Sequence, residues 1–150
     1  MDELLSLALE ASRLAGPAIL SYYHQPSSVA SKHDGSPLTL ADQAAHQVII
    51  RHLAHSGLTI VSEEGEDLHL DAERYWLVDP LDGTTNFTHG IPVYAVSVAL
   101  MKRGVLALGV VYEINRDECF HAIKGEGAFL NHTAIKVSET RTLEKSLLAT

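Results

Sequence analysis

Residues Tyr94–Tyr112 read YAVSVALMKRGVLALGVVY, two apolar, strand-like runs on either side of Gly104. Runs this short, broken by a turn residue, pair as an antiparallel hairpin. The pattern continues downstream. Tyr94–Lys102 and Val105–Tyr112 are followed by Cys119–Ala122 and Ala128–Leu130, with Asn115-Arg116-Asp117 and Gly125-Glu126-Gly127 as turns. Upstream, the short apolar run Leu58–Ser62 and the segment Tyr75–Val78 add two further strands, separated by an acidic loop. The connections after Tyr94 are too short for crossover helices, so the sheet is expected to be mostly antiparallel.

The N-terminal third has a different texture. Leu4, Ala8, Ala11, Leu14 or Ala15, Ala18 and Tyr22 recur at helical spacing, which predicts an amphipathic helix from residue 2 to about 23. Pro17 predicts a kink or an early end within it. Gln25–Pro37 is rich in Ser, Pro, Asp and Gly and reads as a loop. A second helix is expected to start at Thr39, with Asp42 completing a capping-box-like pair, and to end at Gly57. Two helices before a run of strands give an α+β fold: two N-terminal helices packed on a mostly antiparallel sheet.

At 150 residues and 46% hydrophobic content, the chain can bury one core and reads as a single domain over 1–150. Eleven basic against nineteen acidic residues leave a net charge of −8. That balance argues against a nucleic-acid polymer or an anionic membrane as the main partner. The N-terminus lacks the basic start of a signal peptide, and no apolar run approaches a membrane span. The one cysteine, Cys119, excludes an intrachain disulfide and suits a reducing cytoplasm. Leu143–Thr150 reads as an emerging strand, which points to a longer parent protein.

The chemistry is concentrated in Tyr75–Phe87, YWLVDPLDGTTNF. An apolar strand delivers Asp79, Pro80 is expected to turn the chain, and Asp82 returns a second carboxylate. Gly83 allows close backbone approach, and Thr84 and Thr85 open a short helix whose free N–H groups suit a phosphate oxygen. Carboxylates beside a phosphate require hard cations between them, and oxygen ligation favours Mg²⁺, with Mn²⁺ as alternative. Glu63 and Glu64 end the preceding strand. Glu64 is the expected third carboxylate, with Glu63 as a supporting or surface residue. Asp42, behind them, is placed to accept a hydrogen bond from Thr84 or from a water. Such a set is what metal-assisted hydrolysis requires.

The segment Asp79-Pro80-Leu81-Asp82-Gly83-Thr84-Thr85-Asn86-Phe87 resembles the signature of the inositol monophosphatase family, among the lithium-sensitive magnesium phosphatases. Lys32, Ser36–Asp42, Ser62–Gly65 and Lys124–Phe129 extend the resemblance along the chain. It implies one half of a layered αβαβα fold, this chain being the N-terminal metal-binding domain. It also implies that Glu64, Asp79 and the Leu81 carbonyl hold a first Mg²⁺, that Asp79 and Asp82 hold part of a second, and that Glu64 reaches a third. Asp42 and Thr84 would position the attacking water, with Glu64 also in the catalytic set. Gly83 and Thr85 would offer backbone N–H groups to the substrate phosphate, and Asn86 and Phe87 would pack the short helix. The chain departs from the family in lacking the later Trp-Asp motif and with it a ligand of the second metal. Its one tryptophan, Trp76, precedes Leu77.

The resemblance implies a small phosphorylated metabolite as partner, inositol monophosphate first, and a homodimer. A 3′,5′-bisphosphate nucleotidase and a histidinol-phosphate phosphatase are the alternatives within the enzyme class. A non-catalytic metal- or phosphate-binding module is the alternative outside it. Simpler readings serve the remaining residues. His52 and His55 lack a ligand cluster, Cys119 reads as a small core residue, Lys32 as a loop residue near the site, and Gly125 and Gly127 as a hairpin turn.

Overall fold

The computed structural model describes residues 1–23, 30–31, 37–65 and 72–147, without the side chains of 30, 31, 37 and 38. Helix α1 runs over Asp2–Leu20 and buries Ala8, Ala11, Ala15 and Ile19, the stripe expected of an amphipathic helix. It passes through Pro17, which lies on the exposed side, and stops three residues later. Strands β1 (Ala30–Ser31) and β2 (Pro37–Leu38) form a small antiparallel pair. Helix α2, Leu40–Leu53, begins at Thr39 with a complete capping box. Its buried Ala41, Ala45, Ile49 and Leu53 recur every four residues. A 3₁₀ turn over Ala54–Ser56 follows, closed by Gly57 in the left-handed region at φ +67°.

The main sheet has seven strands in the order β3-β4-β5-β6-β7-β8-β9 among the described residues. They are β3 Thr59–Ser62, β4 Arg74–Asp82, β5 Ala95–Lys102, β6 Val105–Glu113, β7 Glu118–Ile123, β8 Gly127–Leu130 and β9 Thr133–Ile135. Every pair is antiparallel except β3–β4, which is parallel. The α+β expectation is met: two helices cover one face of a mostly antiparallel sheet.

Burial alternates as the pleat requires. On β5, Val96, Val98 and Leu100 are buried, and on β6 Leu108 and Val110 join them in a core with the two helices. Trp76 of β4 is fully buried, and its indole N–H donates to Ser56 Oγ at 2.9 Å, tying the end of α2 to the sheet. Cys119 is buried, as expected of a small core residue.

Four details differ from the sequence reading. The stretch Gln25–Pro37, read as a loop, contains β1 and the first residue of β2, strands too short to show a periodic pattern. Pro80 does not turn the chain but sits inside β4. The β4–β5 register steps from Asp79↔Ser97 to Asp82↔Ala95, three residues against two. That is a bulge, and a bulge tolerates a residue without an N–H donor. Strand β9 was not anticipated, because Thr133, Ala134 and Ile135 are all exposed and show no alternation. Leu143–Lys145 forms a 3₁₀ turn rather than the start of a strand. Residues 148–150 lie outside the described residues.

Candidate functional site

The parallel pairing of β3 and β4 brings their C-terminal ends to one edge, where the Glu63 N–H donates to the Val78 carbonyl at 2.9 Å. The chain then turns, with Gly65 N–H donating to the Ser62 carbonyl at 2.9 Å. Glu63 and Glu64 are the two central residues of that turn, so their side chains part company. Glu63 lines a cleft with Asp79, Ser97 and Ala99, on the sheet face away from the helices. Glu64 lines a different one with Tyr22, Gln43 and His46, against α2. The carboxylate that meets Asp79 is therefore that of Glu63, while Glu64 lies on the His46 side. Sequence alone favoured Glu64. The turn pattern Ser62-x-x-Gly65 was the available sign that the two glutamates diverge.

Asp79 shows the electrostatic consequence. Its carboxyl is pushed up to about 7 by partial burial, then by the charge of Glu63 and a hydrogen bond with it, and by the charge of Asp82. The Leu81 N–H, donating to Asp79 Oδ1 at 3.2 Å, opposes the shift. Across the turn, burial holds the His46 imidazole below its usual value against the opposing charge of Glu64. His46 Nδ1 lies 2.9 Å from Ser62 Oγ.

A chain of hydrogen bonds runs from Asp79 to α2. Leu81 donates to Asp79, and the Leu81 carbonyl lies 3.0 Å from Thr84 Oγ1. The same hydroxyl lies 3.1 Å from Asp42 Oδ1. It has one proton and two acceptors, so it donates to either in turn. Asp42 is 1% exposed, and its Oδ2 accepts from the Thr39 N–H at 2.8 Å and from the Thr39 hydroxyl. One oxygen of Asp42 thus completes the helix cap and the other is left for Thr84.

Gly83 connects the bulge to helix α3, Thr84–Thr88. Its φ is +90°, and a Cβ there would stand 2.9 Å from the Val93 carbonyl oxygen. Glycine is needed both for the backbone angle and for the approach of the following loop. Asn86 Nδ2 donates to the Val93 carbonyl at 2.8 Å, and Phe87 packs with Tyr23 and Tyr94 at centroid distances of 5.5 and 5.2 Å. Both therefore hold α3 in place. Thr85 and Asp82 are exposed at this edge. Lys32 lies outside the described residues.

The donors gathered here are all oxygen: Glu63, Asp79, Asp82 and the Leu81 carbonyl. Among the described residues, no group of three or more His, Cys, Asp and Glu side chains stands close enough together to hold a metal ion, so Asp82 does not converge with Glu63 and Asp79 into a three-carboxylate site. The carboxylate contacts centre on Asp79, whose raised proton affinity, from burial and then from the Glu63 and Asp82 charges, marks the place where a hard cation would relieve the repulsion. The histidines at the end of α2 and in the 3₁₀ turn after it have other occupations. His52 Nε2 lies 3.2 Å from Glu10, and His55 Nδ1 lies 2.8 Å from the His52 carbonyl.

A parallel-edged sheet backed by two helices, with a carboxylate bulge leading into a short threonine helix, defines a class of proteins rather than one member. The chain belongs to the inositol monophosphatase family, whose profile matches residues 1–150. It is 40% identical to the Nus factor SuhB of Salmonella typhimurium, with all of this chain and 58% of that protein aligned. It is 38% identical to inositol monophosphatase 1 of Solanum lycopersicum, covering all of this chain and 57% of that one. Among solved structures, the suhB protein of Bartonella henselae superposes with a TM-score of 0.87 at 36% identity, over 94% of this chain and 57% of that chain. The Thermotoga maritima IMPase gives 0.87 at 32%, over 96% and 57%. The chain spans less than three-fifths of the length of the relatives it matches, and its fold corresponds to half of theirs. No described helix is long and apolar enough to cross a membrane.

Proposed function

We propose that this chain supplies the cation- and phosphate-binding half of a phosphatase that hydrolyses a small phosphate monoester, inositol monophosphate being the leading substrate. The observation that carries the reading is the hydrogen-bonded path Asp79–Leu81–Thr84–Asp42 beside the paired carboxylates of Asp79 and Glu63.

In this reading Glu63, Asp79, Asp82 and the Leu81 carbonyl hold Mg²⁺, with Mn²⁺ the alternative, and Glu64 supports the edge from the His46 side. The cation, when bound, supplies charge neutralisation for the phosphoryl oxygens and acidifies water. Thr84 and Asp42 handle the proton. With its own hydrogen given to Asp42 Oδ1, the Thr84 hydroxyl presents lone pairs that orient a water for attack on phosphorus. As the water loses a proton to Thr84, Thr84 passes its own to Asp42. Backbone N–H groups of Gly83 and Thr85 receive the phosphate. The single cysteine fits a reducing cytoplasm, and a homodimer is the proposed assembly.

A second reading has a specific observation in its favour. A chain spanning 57–58% of its relatives can retain cation and phosphate binding without turnover. Phosphate release by the purified 150-residue chain separates the two. Mg²⁺ would be varied against inositol monophosphate, a nucleotide 3′,5′-bisphosphate and histidinol phosphate, with Asp79→Asn as control. Magnesium-dependent release that disappears in Asp79→Asn is the expected result. Mg²⁺ binding lost in that variant, with no release by the parent chain, would leave the binding module standing.

A further inference from the structure

A second cluster of chemistry-bearing side chains lies away from the site just described. Val78, next to Asp79, pairs with Val98, then Val110, then His121, then Phe129 in one row across β4 to β8. At about 4.8 Å per strand, His121 stands roughly 14 Å from that edge residue. Around it is a cleft of about 260 Å³ lined by Leu9, Arg13, His121, Phe129, Asn131 and His132.

Leu9 and Arg13 are one helical turn apart and so share a face of α1. Arg13 is exposed and forms no ion pair among the described residues. His121 stacks on its cross-strand partner Phe129, with centroids 5.4 Å apart and an interplanar angle of 15°, which fixes the imidazole plane. His121 Nδ1 is buried and has no hydrogen-bond partner among the described residues. A buried polar nitrogen held in one orientation without a partner is uncommon in a folded chain. The rim is rigid as well. The Asn131 side chain accepts from the Cys119 N–H at 3.0 Å and donates to the Asp117 carbonyl at 3.3 Å. The nearby acid, Asp117, is engaged through Oδ1 by the Tyr112 hydroxyl at 2.9 Å. An arginine and two histidines thus gather on one spot of a chain whose net charge is −8.

We propose that this cleft binds a small organic anion. A carboxylate or phosphoryl group sits between Arg13 and His132 beside the His121 ring, and a flat apolar portion rests against Leu9 and Phe129. Arginine supplies the forked donors that such oxyanions favour, and the aromatic wall selects an organic ligand over a bare ion. The site is separate from the cation site and needs no metal.

The test is a titration of the full 150-residue chain in the presence of EDTA, following the ring C–H resonances of His121 and His132. The probes are benzoate, phenyl phosphate and, as the uncharged control, benzyl alcohol. Both anions are expected to shift the His121 resonance saturably in the millimolar range, about 1–10 mM, and the alcohol is not. Whichever anion binds tighter identifies the natural ligand's head group as carboxylate or phosphoryl. Arg13→Gln, at an exposed position that packing does not need, is expected to weaken binding about tenfold or more. Asp79→Asn is expected to leave it unchanged, which separates this site from the catalytic one. A His121 resonance that does not move, moves equally with benzyl alcohol, or responds identically in Arg13→Gln overturns the proposal.

Discussion

Asp79 stands between two other acids, and in the metal-free chain that position works against stability. Its carboxyl is raised from 3.8 to about 7, so the folded chain keeps a proton that the unfolded chain has already lost above about pH 4. The contribution of this one group is therefore fully present below the unfolded value and is lost as pH rises through the window up to about 7. Asp79→Asn removes the effect. In EDTA, urea unfolding should show the variant more stable than the parent by about 1–2 kcal/mol near pH 8. The full shift of about three units would give about 4, reduced here because the carboxyl is partly solvated. Near pH 4 the two should converge. Added Mg²⁺ should reverse the order by stabilising only the parent, by about 2.7 kcal/mol at a hundredfold excess over Kd. Glu63→Gln should remove most of that gain and Glu64→Gln little of it, as read from thermal melts with and without Mg²⁺. Asp42 was legible in the sequence because the Thr39–Asp42 helix cap is a local pattern. The choice between Glu63 and Glu64 was not, because adjacent residues have equal spacing to everything else. Only the direction in which the Ser62–Gly65 turn throws each side chain distinguishes them.

The elements that carry the site are fixed by a few local devices. Thr39 caps α2 and also satisfies one oxygen of Asp42. Thr39→Ala should cost about 1–2 kcal/mol, lowering Tm by a few degrees, while Thr39→Ser should restore most of it. Gly83→Ala faces a harder constraint, a positive φ together with a backbone oxygen 2.9 Å from the new carbon. A loss of about 1–3 kcal/mol in urea unfolding is expected, with Mg²⁺ binding weakened because the bulge must shift. Helices α1 and α2 and strands β5 to β7 were legible because each repeats a burial pattern at its own period, and β8 because the Gly125–Gly127 turn marks its start. The course of β4 through Pro80 was not. A proline after an apolar run signals a turn, unless its own strand bulges there against a partner, and that partner is fifteen or more residues away in sequence.

The whole molecule is two layers deep, helices against a sheet, and the other sheet face is open among the described residues. Leu77, Val111 and Phe120 are 44%, 43% and 36% exposed on it. They share this face by register, Leu77 opposite Ala99, and Ser97 opposite Val111 opposite Phe120. The folded chain should bind the dye ANS through this face, and Val111→Lys should reduce that fluorescence while shifting stability by no more than about 0.5 kcal/mol. At this scale the sequence indicated the sheet and its mostly antiparallel sense, since turn spacing governs both. Alternation of side chains along each strand could not say which face stays uncovered.

The bond between Trp76 and Ser56 also makes the protein its own optical reporter. The sequence holds a single tryptophan, so every change in indole emission arises at one place, three residues from Asp79, where β4 meets the end of α2. The buried ring should emit at short wavelength in the folded chain and move to the red when the helix leaves the sheet. A ligand that alters only the quantum yield, without that red shift, will have disturbed the Asp79 edge and left the core closed.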